Sequence, residues 1–264
     1  MKPGRGALAT LVALLALAGP TSASAADFSL QTSSVGPAKA FFDAEGGVRI
    51  GYRFSATGPT DVSVRIAGAE GDVRIFALPQ QQPGVEQELT WDGLTSAGKA
   101  APDGNYRVLI GEAGQPDAEA GKVTLYGHRY PITAPHSFRG AIGEFGAPRN
   151  GGRIHEGFDI NAACGKPLLA VRGGTVIRRN FNGRLDGNYI VIKGFKEDRT
   201  YRYSHLVAPA PVRKGERVFT GQIVGRVGRT GNARTIGCHL HFEIRRGGRF
   251  IDPERELRRW DKFS

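Results

Sequence analysis

From Val48 the chain alternates. Val48, Ile50, Tyr52 and Phe54 are separated by polar or small residues, and Val62, Val64 and Ile66 repeat the pattern. It returns in Tyr106, Val108 and Ile110, then in Val123 and Leu125. A period of two marks strands with one buried face. Glu45-Gly46-Gly47, Thr57-Gly58-Pro59, Glu70-Gly71-Asp72 and Pro102-Asp103-Gly104 supply turns between the runs. Short strands at this spacing predict a β-sandwich over residues 27–126. Trp91 is expected to anchor its core, given the area a tryptophan buries.

A second strand-rich region begins at residue 153. Its clearest strands are predicted at 168–177, 188–195, 199–206 and 239–244, with Gly247-Gly248 as a hairpin turn after the last. Asp252-Pro253-Glu254 reads as a helix start, and the helix should run to about Trp260. Between the regions, residues 127–152 are rich in Gly, Pro and Arg and read as a connector. Its His128 and His136 are taken as incidental. No stretch sustains a helical period, so the expected class is mainly β.

Charge divides the 264 residues unevenly. Residues 27–126 carry 8 Lys+Arg against 13 Asp+Glu, while residues 127–264 carry 26 against 12. The net of +11 therefore belongs to the C-terminal half, whose field would concentrate polyanions. No nucleic-acid motif accompanies it, so no specific nucleic-acid partner is expected. Residues 1–26 combine a basic start (Lys2, Arg5), an apolar run from Ala7 to Ala18 and the small-residue site Ala23-Ser24-Ala25. They read as a cleavable secretory leader, with no transmembrane anchor after cleavage. Export would carry Cys164 and Cys238 into an oxidising space. There the outcomes are a disulfide, two buried thiols or an additional metal ligand. A bridge would close about 74 residues and contribute roughly 4 kcal/mol in the chain-entropy model.

The candidate chemistry lies in Gly237-Cys238-His239-Leu240-His241-Phe242-Glu243-Ile244. On a strand, His239, His241 and Glu243 share one face and Leu240, Phe242 and Ile244 the other. Upstream, His155 and Asp159 stand four apart with Gly157 between them. Those two with one histidine of the later pair would form a three-ligand nitrogen and oxygen set suited to catalytic zinc. Tyr201, Tyr203 and His205 should share a strand face. Glu243 reads as a carboxylate behind the ligands or on the surface. There is no His-Glu-x-x-His helix.

In order, the chain contains His155-x-x-x-Asp159, Tyr203-Ser204-His205-Leu206, the run Gly221-Gln222 to Gly225, Gly228-Arg229-Thr230-Gly231, and His239-Leu240-His241-Phe242-Glu243. Over roughly residues 145–253 this resembles the LytM/lysostaphin-type zinc endopeptidases of bacterial cell walls. The resemblance implies an antiparallel β-sheet peptidase domain over 153–264, with Zn²⁺ held by His155, Asp159 and His241. His205 and His239 would be the catalytic histidines beside the metal water. Asn188 and Tyr203 would be candidate substrate contacts, with packing the stronger reading for Tyr203 and a structural role equally open for Asn188. Peptidoglycan would be the partner, with anionic wall polymers as a further partner of the basic half. Trp91-Asp92-Gly93, Gly98 and Gly104-Asn105-Tyr106 resemble the Ig-like domain of flagellar hook-capping proteins. That implies an Ig-like sandwich as spacer.

The loop Asn232–Cys238 departs from the family pattern. It is longer, and Cys238 stands where Pro is common. Because Asp159 and His241 would converge on one metal, the resemblance also brings Cys164 near Cys238 and favours the disulfide. The function so implied is an exported, extracytoplasmic zinc endopeptidase acting on stem peptides or cross-bridges. The alternatives are a catalytically silent activator of wall amidases and a wall-binding protein.

Overall fold

The computed structural model describes residues 28–115 and 117–264; the expected leader at 1–26 lies outside them. The N-terminal unit contains β1 (Ser29–Gly36), β2 (Lys39–Phe41), β3 (Val48–Ser55), β4 (Thr60–Gly68), β5 (Gly71–Gln81), β6 (Gln87–Trp91), β7 (Gly104–Glu112) and β8 (Ala118–Tyr126). They form a three-stranded sheet, β1-β3-β6, and a five-stranded sheet, β2-β8-β7-β4-β5. The alternating residues of β3, β4 and β7 close one core between the sheets. Trp91 is wholly buried there, edge-on to Tyr106 at 5.1 Å. Its indole N–H donates to the Leu94 carbonyl at 2.8 Å, so the ring is buried without an orphaned donor.

The C-terminal unit adds β9 (His136–Phe138), β10 (Phe158–Ala162), β11 (Pro167–Leu169), β12 (Gly174–Asn182), β13 (Gly187–Gly194), β14 (Arg199–Leu206), β15 (Arg217–Val218), β16 (Ile223–Arg226), β17 (His239–Arg246), β18 (Arg249–Ile251) and α1 (Glu254–Asp261). An eight-stranded sheet runs β15-β12-β13-β14-β17-β10-β9, with β18 also on β17. The antiparallel pair of β11 and β16 stands apart from it. One sheet face is the core: Tyr201, Tyr203, Phe242 and Ile244 pack with Leu257 and Trp260 of α1. The Asp252 carboxylate accepts the Glu254 N–H at 2.9 Å, capping α1 where the sequence placed its start. The molecule is mainly β, as expected.

Two expectations are corrected. The single strand predicted at 168–177 is two, because the chain turns at residues 170–173. Arg172 is buried there, donating to the carbonyls of Gly127 at 2.6 Å and Phe195 at 3.0 Å. The second correction concerns 127–152, which is no bare connector. Tyr130 and Ile132 belong to the C-terminal core. His128, far from incidental, stacks on Trp260 at 4.8 Å. Its Nε2 lies 2.8 Å from the Tyr201 hydroxyl and 3.1 Å from Glu197. Isolated core residues in a Gly/Pro-rich stretch make no period, so pattern reading passes over them.

The two units meet in a bonded joint. Arg217 forks onto both Asp43 carboxylate oxygens at 2.6 Å. The buried Thr220 hydroxyl donates to the Phe42 carbonyl at 2.6 Å and accepts the Gly173 N–H at 2.7 Å. A Cβ at Gly173 would collide with the Asp43 carboxylate, so the close approach requires glycine there. Arg172 lies over the Phe42 ring at 3.9 Å, and Tyr126 stacks on Phe263 at 3.9 Å.

Candidate metal centre

The solvent-side face of the large sheet carries the site. Asp159 of β10 lies directly opposite His241 of β17. His155 arrives from the preceding loop, held by backbone bonds between His155 and Ala147 and between Gly146 and His155, 2.9 and 2.8 Å. His155 Nε2, Asp159 Oδ1 and His241 Nδ1 converge. The separations are 2.8 Å between the histidines, 3.1 Å from His155 to Asp159 and 3.0 Å from His241 to Asp159. Gly157 makes room, since a Cβ there would meet the His241 ring at 2.7 Å.

The remaining nitrogens fix which atom faces inward. His155 Nδ1 donates to the Glu144 carbonyl at 2.8 Å. His241 Nε2 donates to Glu243 at 3.1 Å. With a metal in place of the protons shared with Asp159, each ring's other nitrogen would be the ligating atom, the arrangement expected behind metal-binding imidazoles. The expected ambiguity over Glu243 is resolved: it is buried and holds a ring in place. Its position two residues after His241 on the same face was the available signal.

Electrostatics follow from this geometry. Burial alone would raise the Asp159 carboxyl, but hydrogen bonds from His155 and His241 outweigh it and hold it well below the usual range. Burial would lower His241, yet its bonds to Asp159 and Glu243 push it up to about 9. His205 goes the other way, pushed down to about 3 by burial and by the neighbouring His241 and His239. Burial also lowers His239.

The placement of His205 departs from expectation. Tyr201 and Tyr203 face the core, but His205 faces the site, with its ring 4.9 Å from His239 and 5.9 Å from His241. The reason is a bulge. Ile190 pairs with Tyr203 and Asn188 with Leu206, so Ser204 and His205 together oppose Tyr189. His205 takes a left-handed backbone, φ 64°, which costs energy in a non-glycine residue and tends to occur at functional sites. Its N–H donates to the Asp186 carbonyl at 2.7 Å, and its Nδ1–H donates to the Thr230 carbonyl at 2.9 Å.

Tyr203 is corrected as a substrate contact. It is fully buried, its hydroxyl accepts the Val171 N–H at 2.8 Å, and its ring packs edge-on to Phe242. Asn188 is half-buried beside the site, with its backbone N–H on Thr230 at 2.9 Å and its amide near the Leu206 carbonyl at 3.4 Å. Two cations were missed because they stand in the supposed connector. Arg139 lies 3.3 Å from His239, and Arg149 lies 3.9 Å from Asp159. Cys164 and Cys238 are joined as a disulfide, Cα atoms 5.4 Å apart. The bridge ties the segment after β10 to the one before β17.

The donor set fits a zinc ion. Two imidazoles and one carboxylate are a catalytic-type set with room for further ligands. A tetrahedral ion with bonds near 2.0–2.1 Å separates its ligands by roughly 3.3 Å, slightly more than the spacing here. Small outward shifts of three side chains suffice.

An antiparallel sheet bearing a three-donor cradle and two further buried histidines defines the class: a β-sheet protein with a candidate metal-dependent hydrolytic centre. Residues 153–253 match the model of peptidase family M23. Residues 39–115 match the FlgD Ig-like domain. The lipoprotein NlpD/LppB homolog of Pseudomonas aeruginosa is 37% identical over 118 residues, covering 45% of this chain and 37% of that protein. The peptidoglycan DD-endopeptidase ShyC of Vibrio cholerae is 37% identical over 103 residues, 38% of this chain and 22% of that one. The murein hydrolase activator NlpD of Escherichia coli is 34% identical over 116 residues, 44% and 28% respectively. The chain thus spans well under half the length of these relatives.

Proposed function

We propose that this chain is an exported zinc endopeptidase that hydrolyses peptide bonds in peptidoglycan stem peptides or cross-bridges. The observation that carries the reading is the convergence of His155, Asp159 and His241 beside two histidines that hold no ligand position. Bound by those three, zinc would supply Lewis acidity toward a peptide carbonyl and toward water.

The protein's own groups do the rest. His205 is neutral, and its Nδ1–H is committed to Thr230, so Nε2 is free to accept a proton. His239 Nδ1 lies 2.8 Å from the Gly237 carbonyl, an acceptor, and 3.3 Å from an Arg139 nitrogen, a donor, so its ring proton can stand on Nδ1 or on Nε2. One of the pair takes the proton of the attacking water and returns it to the leaving amine. A histidine of the pair with its proton on Nε2 steadies the developing oxyanion. Asn188 is proposed to contact the substrate backbone from its place beside Thr230. The disulfide braces the loops that carry the site, and residues 27–126 act as a spacer. The basic half favours an anionic wall.

The NlpD-type relative supports a second reading, a silent activator of wall hydrolases. Retention of all five site residues weighs against it. Digestion of purified sacculi by the zinc-loaded chain, with and without chelator, separates the two. Chelator-sensitive release of peptide fragments, read by mass spectrometry, supports the enzyme. Release only when an amidase is added supports the activator.

A further inference from the structure

The site face of the sheet continues past the metal centre. Beyond Glu243 a hollow of about 160 Å³ opens over β12, β13, β14 and β17, lined by Arg178, Arg202, Arg245, Glu243, Thr200 and Val191. Register places these side chains in rows. Arg178 opposes Val191, Val191 opposes Arg202, and Arg202 opposes Glu243. Arg245 opposes Thr200 in the next row.

Arg178 owes its place to a second bulge. The β12–β13 register shifts between Val176 and Arg178. Val176 is buried in the core, so strict alternation would turn Arg178 inward as well. The extra residue, Ile177, reverses it. Strands β12 and β17 lie three spacings apart, about 14 Å. Arginines reaching inward from both sides close that gap over a floor of two short side chains, Val191 and Thr200.

The charges do not cancel. Arg202 is paired with Asp186 at 2.8 Å. One Glu243 oxygen is used by His241. The other is buried without a hydrogen bond, 3.7 Å from Arg202 and 3.9 Å from Arg245. These ion pairs border the hollow, and none among the described residues engages Arg178. Arg245 is held by stacking over the Phe250 ring at 3.8 Å, which lowers the entropic cost of using it. Two guanidinium groups therefore face one hollow with donors to spare, and guanidinium suits carboxylate geometry.

We propose that this hollow is a substrate subsite in which Arg178 and Arg245 take a free carboxylate of the bound peptide. The proposal rests on the peptide-hydrolysing reading and narrows its substrate class. Arg245 is four residues from His241 along β17, about 13 Å. The carboxylate it takes stands a few residues from the bond over the metal. Stem peptides with free side carboxylates satisfy this; neutral glycine bridges do not.

The test uses the full zinc-loaded chain and two synthetic stem peptides, one with free side carboxylates and one with those groups amidated. Binding is measured by calorimetry and cleavage is followed in parallel. The free-carboxylate peptide should bind roughly ten-fold more tightly, the worth of a charge-assisted bond. R178Q and R245Q should each erase that difference while zinc content and Tm stay at wild-type values. Equal binding of the two peptides by the wild type overturns the subsite, as does a variant that weakens both in parallel. Charge-selective binding without cleavage would defeat the endopeptidase reading and leave the subsite standing. Cleavage without charge preference would do the reverse.

Discussion

The two β-units use alternation differently. In the sandwich, β3 alternates buried and more exposed residues along its whole length, and its inward residues serve only the core. In the C-terminal sheet the ladder slips at Ile177 and at Ser204/His205. Both slips turn a basic side chain from the core face to the site face. Charge separates the units too, 13 acidic residues against 8 basic in residues 27–126 and 12 against 26 in residues 127–264. The sandwich ladders slip too, between Thr60 and Val62, Ile66 and Ala67, and Val108 and Leu109, so a bulge by itself does not mark chemistry. What differs is that the slips of the C-terminal sheet bring basic side chains to the site face.

The sharpest way to break this contrast is to remove a ligand. His155→Ala and His241→Ala should each abolish stoichiometric zinc, by metal analysis, and reduce hydrolysis by roughly 10³-fold or more. The sandwich should be untouched. His205→Ala is next: a rate loss of about 10²–10⁴-fold with zinc retained. Unchanged turnover would sink the assignment of the bulge as a functional device. Trp91→Ala tests the other unit. It should destabilise the protein by about 3–5 kcal/mol in denaturant titration while zinc affinity holds.

The smallest effect concerns pH and a group outside the site. Burial would raise the Glu197 carboxyl, but the His128 hydrogen bond and the charges of His128 and Arg172 outweigh it and hold it below its ordinary 4.5. Below that value the unfolded chain binds more protons than the folded one, so stability falls as pH falls. Glu197→Gln should flatten the acid limb of a Tm-against-pH curve and lower stability at pH 7 by about 1–2 kcal/mol. An unchanged acid limb would show that the His128–Glu197 pair does not control it.

That His155 and Asp159 meet one histidine of the later pair was legible because metal donors are few residue types at fixed offsets on known faces; that this histidine is His241 came from the family resemblance. Mainly-β architecture was legible for the same periodic reason. The inward-facing strand residues of the sandwich needed nothing beyond period two. The orientation of His205 was not legible, since a bulge changes which side a residue faces without changing composition. Nor was the burial of Tyr130 and His128, whose partners Trp260, Tyr201 and Glu197 are distant in sequence. Tyr203 packs in the core, the stronger of its two sequence readings, and its motif position alone could not separate packing from substrate contact. The break at Arg172-Gly173 could not be read either. Gly173 packs there against Asp43, more than a hundred residues earlier.

That contact bears on how the molecule is aimed. A slack tether lets a catalytic head sweep a volume set by its length. Here Arg217 on Asp43 and Thr220 on Phe42 leave little freedom between the units. On the proposed reading of residues 27–126 as a spacer, the sandwich would be a handle rather than a leash. Whatever grips it also fixes the bearing of the cleft, so reach is decided by the shape of the rigid pair and by where the handle is held.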